Sequence, residues 1–309
     1  MTGDPSVAAV VVNYNGGAVT RTCIDSLRRG VGPRVRVIVA DNASRADERA
    51  ELERAYAGAE DVELVWLSEN RHFAGGVNAG TERALAAGAS HVLVLNNDTE
   101  IAPDCVKWLV AAAEAIPDAG IVGPALLDLT SREPLSLGER YAPWCLAAPR
   151  TWLRVRSAGD GLSYRVGGVM GSALLVTREC FERVGPYRED LLVYYEEVDF
   201  CLRARALGYA PLIEPRAVVL HDGMRGFAAG LTPYAARLKT RNLLLLMRAH
   251  GAGPAWLTFA PTYAGLVLAS AALYGLRGQW SVVRALLEGV RDGFGSALAA
   301  APRWAGSRA

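Results

Sequence analysis

Val7-Ala8-Ala9-Val10-Val11-Val12-Asn13-Tyr14-Asn15-Gly16-Gly17 decides the architecture. It opens on an unbroken apolar run rich in β-branched valine, which suits a strand buried on both faces, as in a parallel sheet. The glycine pair ends that run, and a helix-like stretch follows over residues 18–29. The alternation then repeats. Residues 35–40, 62–67 and 91–95 read as further strands, and residues 46–56, 75–87 and 103–116 as further helices, with Pro103 suited to a first helical turn. Repeated strand–helix units predict an α/β fold, Rossmann-like, with a mostly parallel central sheet and helices on both faces.

In such sheets ligands bind beyond the carboxyl ends of the strands. Polar residues gather where those ends fall. Asn13, Tyr14 and Asn15 follow the first strand; Asp41, Asn42 and Ser44 the second; Asn70 the third; Asn96, Asn97 and Asp98 the fourth. One such cluster is ordinary turn chemistry, but four at successive strand ends read as a single site.

Two later stretches carry chemistry. In Tyr194-Tyr195-Glu196-Glu197-Val198-Asp199, three carboxylates fall within four positions. They repel one another unless a helix N-terminus, a cation or a catalytic task holds them. Glu196, Glu197 and Asp199 are therefore candidate catalytic groups, one of them a general base. The other stretch is Val218-Val219-Leu220-His221-Asp222-Gly223, where His221 follows an apolar strand and is a candidate metal ligand. Asp98, at a strand end, is the matching carboxylate: it is placed to hold Mg²⁺ or Mn²⁺ across a ligand's phosphates, although an isolated Asn-Asn-Asp also reads as an Asx turn.

The remaining chain is less informative. Residues 130–163 lose periodicity and suggest a variable loop on the acceptor side. Residues 167–176 give a Gly-rich entry to another strand, and residues 194–207 a helix with an acidic start. Residues 209–213 and 217–220 read as two short strands. Beyond about residue 230 the composition shifts to long apolar helices, which predicts one domain over 1–230 and a helical region over 231–309. Residues 251–276 carry no charge, but Pro254 and Pro261 interrupt them, leaving less than the ~20 residues a span needs. The next helix places Trp280, Val283, Leu287, Val290 and Phe294 on one stripe. That face suits intramolecular packing, a homodimer contact or peripheral contact with a membrane surface.

Composition narrows the partners. The chain has 309 residues, half of them hydrophobic, and a formal net charge of +1, which argues against nucleic acid as a partner. The five cysteines (Cys23, Cys105, Cys145, Cys180 and Cys201) are odd in number and form no C-x-x-C pair. They read as reduced thiols of a cytoplasmic protein, at the inner face of the membrane if the C-terminal helices touch one. A dehydrogenase would need a Gly-x-Gly-x-x-Gly turn after the first strand, which Asn13-Tyr14-Asn15-Gly16-Gly17 does not supply. A nucleotidyltransferase would need an early Gly-rich basic loop. A non-catalytic nucleotide-sugar-binding module would not need the acidic cluster.

Taken together, Val10 to Gly16, Val39-Ala40-Asp41-Asn42-Ala43-Ser44, Glu69-Asn70-Arg71-His72-Phe73-Ala74-Gly75-Gly76-Val77-Asn78-Ala79-Gly80, Leu95-Asn96-Asn97-Asp98, the acidic cluster and His221 resemble the inverting glycosyltransferases of family 2, which have the GT-A fold. Within that family the pattern is closest to the bacterial rhamnosyltransferase-like branch. The resemblance implies a nucleoside diphosphate sugar donor, dTDP- or UDP-linked, and a hydroxyl acceptor on a glycan, lipid-linked intermediate or natural product. It implies donor-binding roles for Asn13, Asn15, Asp41, Asn70, Asn78 and Asn97, and a divalent metal held by Asp98 and His221. Glu197 falls where the family has the aspartate base of its Glu-Asp pair. Two departures stand out: Asn96 replaces the first acid of the family's Asp-x-Asp motif, and Glu197 adds one methylene to the base.

Overall fold

The computed structural model describes residues 6–141, 163–222 and 230–297. Cys145 and most of the expected acceptor-side loop lie outside the described residues. The first strand, β1 (Val7–Asn13), is buried along its whole length. Its alternate side chains feed two separate cores. Val7, Ala9 and Val11 pack into one, and Ala8, Val10 and Val12 into the other. A strand that is apolar at every position is what a sheet covered on both faces requires.

β2 (Val35–Asp41), β3 (Val62–Trp66) and β4 (His91–Asn96) complete the first half of the sheet, in the order β3-β2-β1-β4, all parallel. The intervening helices are α1 (Gly17–Arg28), α2 (Ala46–Ala55) and α3 (His72–Ala86). The sequence placed these elements to within a few residues. The chain steps from β1 outward to β3, then returns to the other side of β1 as β4. This reversal opens a crevice at the strand ends.

Two glycines fix how α3 sits on the sheet. A Cβ on Gly76 would lie 2.7 Å from Val12 Cγ1, and one on Gly80 would lie 2.4 Å from Val10 Cγ1. No real contact is that short, so the helix rests directly on the valines of β1.

After β4 come β5 (Thr99–Ile101), α4 (Cys105–Ala115), β6 (Ile121–Asp128), β7 (Pro134–Ser136), β8 (Tyr164–Arg165), β9 (Ala173–Thr177), α5 (Arg178–Val184), α6 (Glu196–Ala206) and β10 (Pro211–His221). The full order is β3-β2-β1-β4-β9-β6-β10-β5. Among the long strands, β9 alone runs against its neighbours β4 and β6, while β6 and β10 keep the direction of β4. The sheet is mostly parallel, as expected. The two short strands expected over 209–213 and 217–220 are one strand, β10, whose register shifts between Glu214 and Val218. The bulge breaks the apolar pattern and made one strand look like two.

Three helices follow: α7 (Pro233–His250), α8 (Trp256–Leu276) and α9 (Trp280–Gly295). One expectation fails here. Pro261 does not interrupt α8, which runs continuously through it for 21 residues. Pro261 and its neighbours Ala260 and Thr262 are exposed, so the turn can relax around the proline ring. The face that α9 buries is not the large apolar stripe but Val282, Ala285, Leu286, Gly289 and Gly293. Cβ atoms on Gly289 and Gly293 would collide with α7 at Arg237 O and Leu244. Small residues let the two backbones approach, and Trp280, Leu287 and Phe294 are left outside.

Candidate active site

The ends of β1, β2 and β4 meet in one hydrogen-bonded network. Asn13 donates from Nδ2 to Asp41 Oδ2 at 2.7 Å and accepts at Oδ1 from Thr20 Oγ1 at 2.8 Å. Ser44 donates from its backbone N to Asp41 Oδ1 at 2.9 Å and from Oγ to Asp41 Oδ2 at 2.6 Å. Asn97 reaches in from the end of β4, its Nδ2 3.0 Å from Thr20 Oγ1 and 3.4 Å from Asn13 Oδ1. Asn15, in the left-handed region at φ 52°, accepts at Oδ1 from Arg45 N at 2.9 Å. Asn13 and Asp41 are fully buried, and a buried carboxylate is tolerable only because its oxygens are so well supplied with donors.

Two other asparagines tie chain segments together. Asn70 Oδ1 accepts from His72 N at 2.8 Å and caps the entry to α3. Asn78 binds the backbone of Tyr187 twice, donating to its O at 2.9 Å and accepting from its N at 2.8 Å, and also donates to Glu189. Its amide thereby holds α3 against residues 187–189. Arg71 adds a second tie, an ion pair with Glu189 at 2.5 Å.

Asp98 and His221 come together from opposite ends of the sequence. β10 pairs with β5 so that His221 lies opposite Thr99, and Asp222 N donates to Asp98 O at 3.1 Å. His221 Nε2 lies 3.1 Å from Asp98 Oδ1, a buried oxygen with no hydrogen bond of sound geometry, and 3.4 Å from Asn96 Nδ2. Burial works against the charged carboxylate, but His221 and Asn96 outweigh it and hold the Asp98 carboxyl below its ordinary value. A carboxylate oxygen beside an imidazole nitrogen offers a divalent cation two ligands. Among the described residues no third His, Cys, Asp or Glu joins them, so the remaining coordination positions of such a cation are left to phosphate oxygens and water.

The acidic segment is held under strain. Leu192, Tyr194 and Tyr195 all have left-handed backbones, at φ 63°, 73° and 74°. Bulky residues adopt this region at a cost of order 1–3 kcal/mol each, and only where surroundings enforce it. Here the enforcer is Asn242 of α7. Its fully buried Nδ2 lies 2.8 Å from Leu191 O, 3.0 Å from Val193 O and 2.9 Å from Tyr194 O. Neighbouring Arg241 donates to Asp190 O. The strained turn launches α6, whose first residues are Glu196 and Glu197.

The three acidic side chains of this segment have different surroundings. Asp199 is enclosed by two arginines and a histidine: Arg203 Nε at 2.7 Å, His250 Nε2 at 2.8 Å and Arg188 Nη1 at 3.6 Å. Burial opposes its charge, but His250 and Arg203 hold its carboxyl below the usual range. Glu196 and Glu197 are also buried. Glu197 packs on Gly171, where a Cβ would lie 3.2 Å from Glu197 Cβ and Cγ. The next residue, Ser172, accepts at its carbonyl from Asn96 N at 3.0 Å. Glu197 is thus linked through Gly171 and Ser172 to Asn96 at the end of β4, two residues short of Asp98.

Sequence reasoning missed the supporting residues Thr20, Ser172, Arg188, Glu189, Arg203, Asn242 and His250. Only the Gly-rich run over 167–176 signalled a close approach near Gly171. Ser44 was in the polar set, without a defined task.

A crevice at the switch point of a mostly parallel sheet, with a buried Asn–Asp–Ser network at its strand ends, marks the nucleotide-binding α/β proteins. Within that class the chain belongs to glycosyl transferase family 2, whose model matches residues 8–183. It is 28% identical over 264 residues to an N-acetylglucosaminyl-diphospho-decaprenol L-rhamnosyltransferase of Mycobacterium tuberculosis, covering 78% of this chain and 84% of that one. It is 25% identical over 201 residues to the low-salt glycan biosynthesis hexosyltransferase Agl10 of Haloferax volcanii, covering 64% of this chain and 61% of that protein. It is 25% identical over 186 residues to the dTDP-rhamnosyl transferase RfbF of Shigella flexneri, covering 60% of this chain and 59% of that protein. The chain therefore spans about three fifths of the last two. Among solved structures, the mannosyltransferase PcManGT of Pyrobaculum calidifontis, in complex with GDP-Man and Mn²⁺, has a TM-score of 0.58 at 18% identity, covering 95% of this chain and 88% of that one. This likeness is one of fold: the chain has the GT-A architecture.

Proposed function

We propose that the chain transfers a sugar from a pyrimidine nucleoside diphosphate donor, dTDP- or UDP-linked, to an acceptor hydroxyl with inversion at the anomeric carbon. The observation that supports this reading is the chain of contacts Glu197–Gly171–Ser172–Asn96, which links a buried carboxylate to the strand end that leads to the Asp98–His221 pair. A base and a cation-binding centre in one site are what the displacement of a diphosphate by an alcohol needs.

In this reading the Asn13–Asp41–Ser44 network faces the nucleoside, where Asp41 accepts from a base N–H or a ribose hydroxyl. Asp98 and His221 hold Mg²⁺ or Mn²⁺, which when bound offsets the charge that grows on the departing diphosphate. The acceptor oxygen attacks the anomeric carbon on the face opposite the leaving group. The sugar–phosphate bond breaks, its electron pair leaves with the diphosphate, and the hydroxyl proton passes to Glu197. Asp199 acts through position: its bonds to Arg203 and His250 anchor the first turns of α6, and so the carboxylate two residues earlier. The rhamnosyl donors named for two of the relatives favour a deoxysugar, and the decaprenyl acceptor named for one favours a lipid-linked hydroxyl.

The test is donor binding by calorimetry with dTDP-, UDP- and GDP-sugars, with and without Mn²⁺, followed by release of the nucleoside diphosphate in the presence of acceptor. Cation-dependent binding of a pyrimidine donor that Asp98→Ala abolishes is expected. Tighter binding of the GDP-sugar overturns the assigned base, and full turnover in excess EDTA overturns the metal.

A further inference from the structure

α8 is 21 residues long, about 30 Å at helical rise, which matches the thickness of a bilayer's hydrocarbon core. The apolar stretch Gly253–Leu276 has the length and composition of a membrane span. Yet α8 is tied back at two points. Tyr263 OH, in its first half, donates to Thr240 O of α7 at 3.1 Å, and near its C-terminus Tyr274 OH accepts from Leu231 N, just before α7, at 3.2 Å. α9 then returns along α7, with Arg248 donating to Gly293 O at 2.7 Å. The helix lies flat on its neighbours and does not project away from them. Only Phe259 and Tyr263 of α8 are buried, while Leu257, Leu268 and Leu276 are 80%, 69% and 90% exposed.

The outer face of α9 continues this surface. Trp280, Leu287 and Phe294 recur every seven residues and are 68%, 58% and 61% exposed. Residues three and four apart share a helix face. Arg284 lies between Trp280 and Leu287, and Arg291 between Leu287 and Phe294, with side chains 83% and 73% exposed; each also pairs with an acid of its own helix, Arg284 with Glu288 at 2.9 Å and Arg291 with Asp292 at 3.1 Å. Apolar anchors interleaved with arginine are the make-up of a helix lying in the plane of a lipid interface, its rings in the headgroup layer and its guanidinium groups at the phosphates.

Charge points to the same occupant. From Leu231 to the end the sequence holds nine Lys/Arg and two Asp/Glu, against 24 and 30 in the first 230 residues. The stretch of sequence that carries the exposed apolar helices is therefore the basic one. An anionic bilayer complements that net positive charge, whereas a second copy would repeat it.

We infer that α8 and α9 form an in-plane docking surface for an anionic membrane, through Leu257, Leu268, Leu276, Trp280, Leu287 and Phe294, with Arg284 and Arg291 on the lipid phosphates. This proposal stands apart from the assignment of donor or base. It is tested by flotation of the full chain with vesicles of phosphatidylcholine plus phosphatidylglycerol, and with phosphatidylcholine alone. The wild type is expected to float with the anionic vesicles and to be released by salt. Arg284→Gln with Arg291→Gln should weaken binding by roughly tenfold or more. Trp280→Glu with Leu287→Glu and Phe294→Glu should abolish it while leaving circular dichroism and melting unchanged, since these side chains are exposed. Failure of the wild type to float overturns the proposal, as does unchanged flotation of the glutamate variant or equal binding to neutral vesicles. A wild-type dimer that ignores vesicles and becomes monomeric in the glutamate variant assigns the face to a second copy and likewise overturns it.

Discussion

The ends of β1 and β2 and the start of α6 both gather buried carboxylates, but they stabilise them by opposite means. At Asp41 the donors are neutral and fixed by the sheet: Ser44 is three residues away, Asn13 lies on the adjacent strand, and the sheet register pairs Asn13 with Asp41 directly. At Asp199 the partners are basic side chains, and one is distant: Arg203 lies one helical turn on, but His250 is 51 residues away. The turn before α6 is held against its own backbone preference by Asn242, again about 50 residues off. The first region follows from local chemistry, and the second is imposed by tertiary structure. Strain of that kind persists where a fixed side-chain position is worth its cost.

The sharpest way to break this contrast is to remove the carboxylate that the strained turn presents. Glu197→Gln keeps the shape and loses the basicity. It should lower the catalytic rate by roughly 10²–10⁴-fold while leaving donor affinity nearly unchanged. Stopped-assay kinetics beside calorimetric donor titration separate the two effects. Normal turnover in Glu197→Gln, with Glu196→Gln inactive, would move the base to its neighbour and leave the contrast intact.

Asn242→Ala tests whether the clamp is needed. It leaves three carbonyls short of a donor in a buried site and frees three left-handed residues, so a loss of about 2–4 kcal/mol in stability is expected. Below the melting transition, kcat should fall more than donor affinity. Asn13→Ala should show the reverse pattern, weaker donor binding with kcat largely kept. If both variants lose donor affinity alike, the two regions are not functionally separate.

These pairs also show what the sequence could and could not disclose. Val7 to Val12 is legible because burial on both faces leaves a continuous apolar run, and Asn13, Asp41 and Asn97 are legible because strand ends are where a parallel sheet binds. Asp98 and His221 were named from separate stretches, and only the antiparallel pairing of β5 with β10 brings them together. Asn242 sits in a run of leucines in which one polar residue carries no periodic signal. His250 reads as an ordinary basic residue at a helix end. The outward stripe of α9 was recognised as apolar, but its direction depended on glycines whose small size matters only against α7.

Acid should separate the two regions further. The folded Asp199 carboxyl titrates below its ordinary value, so its ion pairs contribute stability that is present above the unfolded pKa, near 4, and lost as pH falls through the lower folded value. Melting of the wild type should decline in that window. Asp199→Asn should be less stable at neutral pH, because the part-buried Arg203 loses its ion pair and Arg188 the second of its two carboxylates, and flatter in acid. Equal acid slopes for the two proteins would mean that other carboxylates govern the decline.

The smallest expected effect lies at the quieter end of the sheet. Ala43, between Asn42 and Ser44, has φ 59°, so the strand-end region contains a left-handed residue of its own. Alanine pays for this conformation through its Cβ, whereas glycine adopts it freely but loses more entropy on folding. The two terms nearly cancel, and Ala43→Gly should stabilise the protein by less than about 1 kcal/mol. No bond in the Asn13–Asp41–Ser44 network uses the Ala43 side chain, so donor affinity and kcat should stay at wild-type levels. The same exchange at Tyr194 removes a ring that lies under Lys239 Nζ at 4.7 Å, and should cost activity despite relieving similar strain. Melting curves and kinetics on both variants decide the point. A rate loss in Ala43→Gly as large as that in Tyr194→Gly would show that backbone strain at the strand ends is as bound up with function as strain in the acidic turn, and the contrast between imposed and local geometry would not hold.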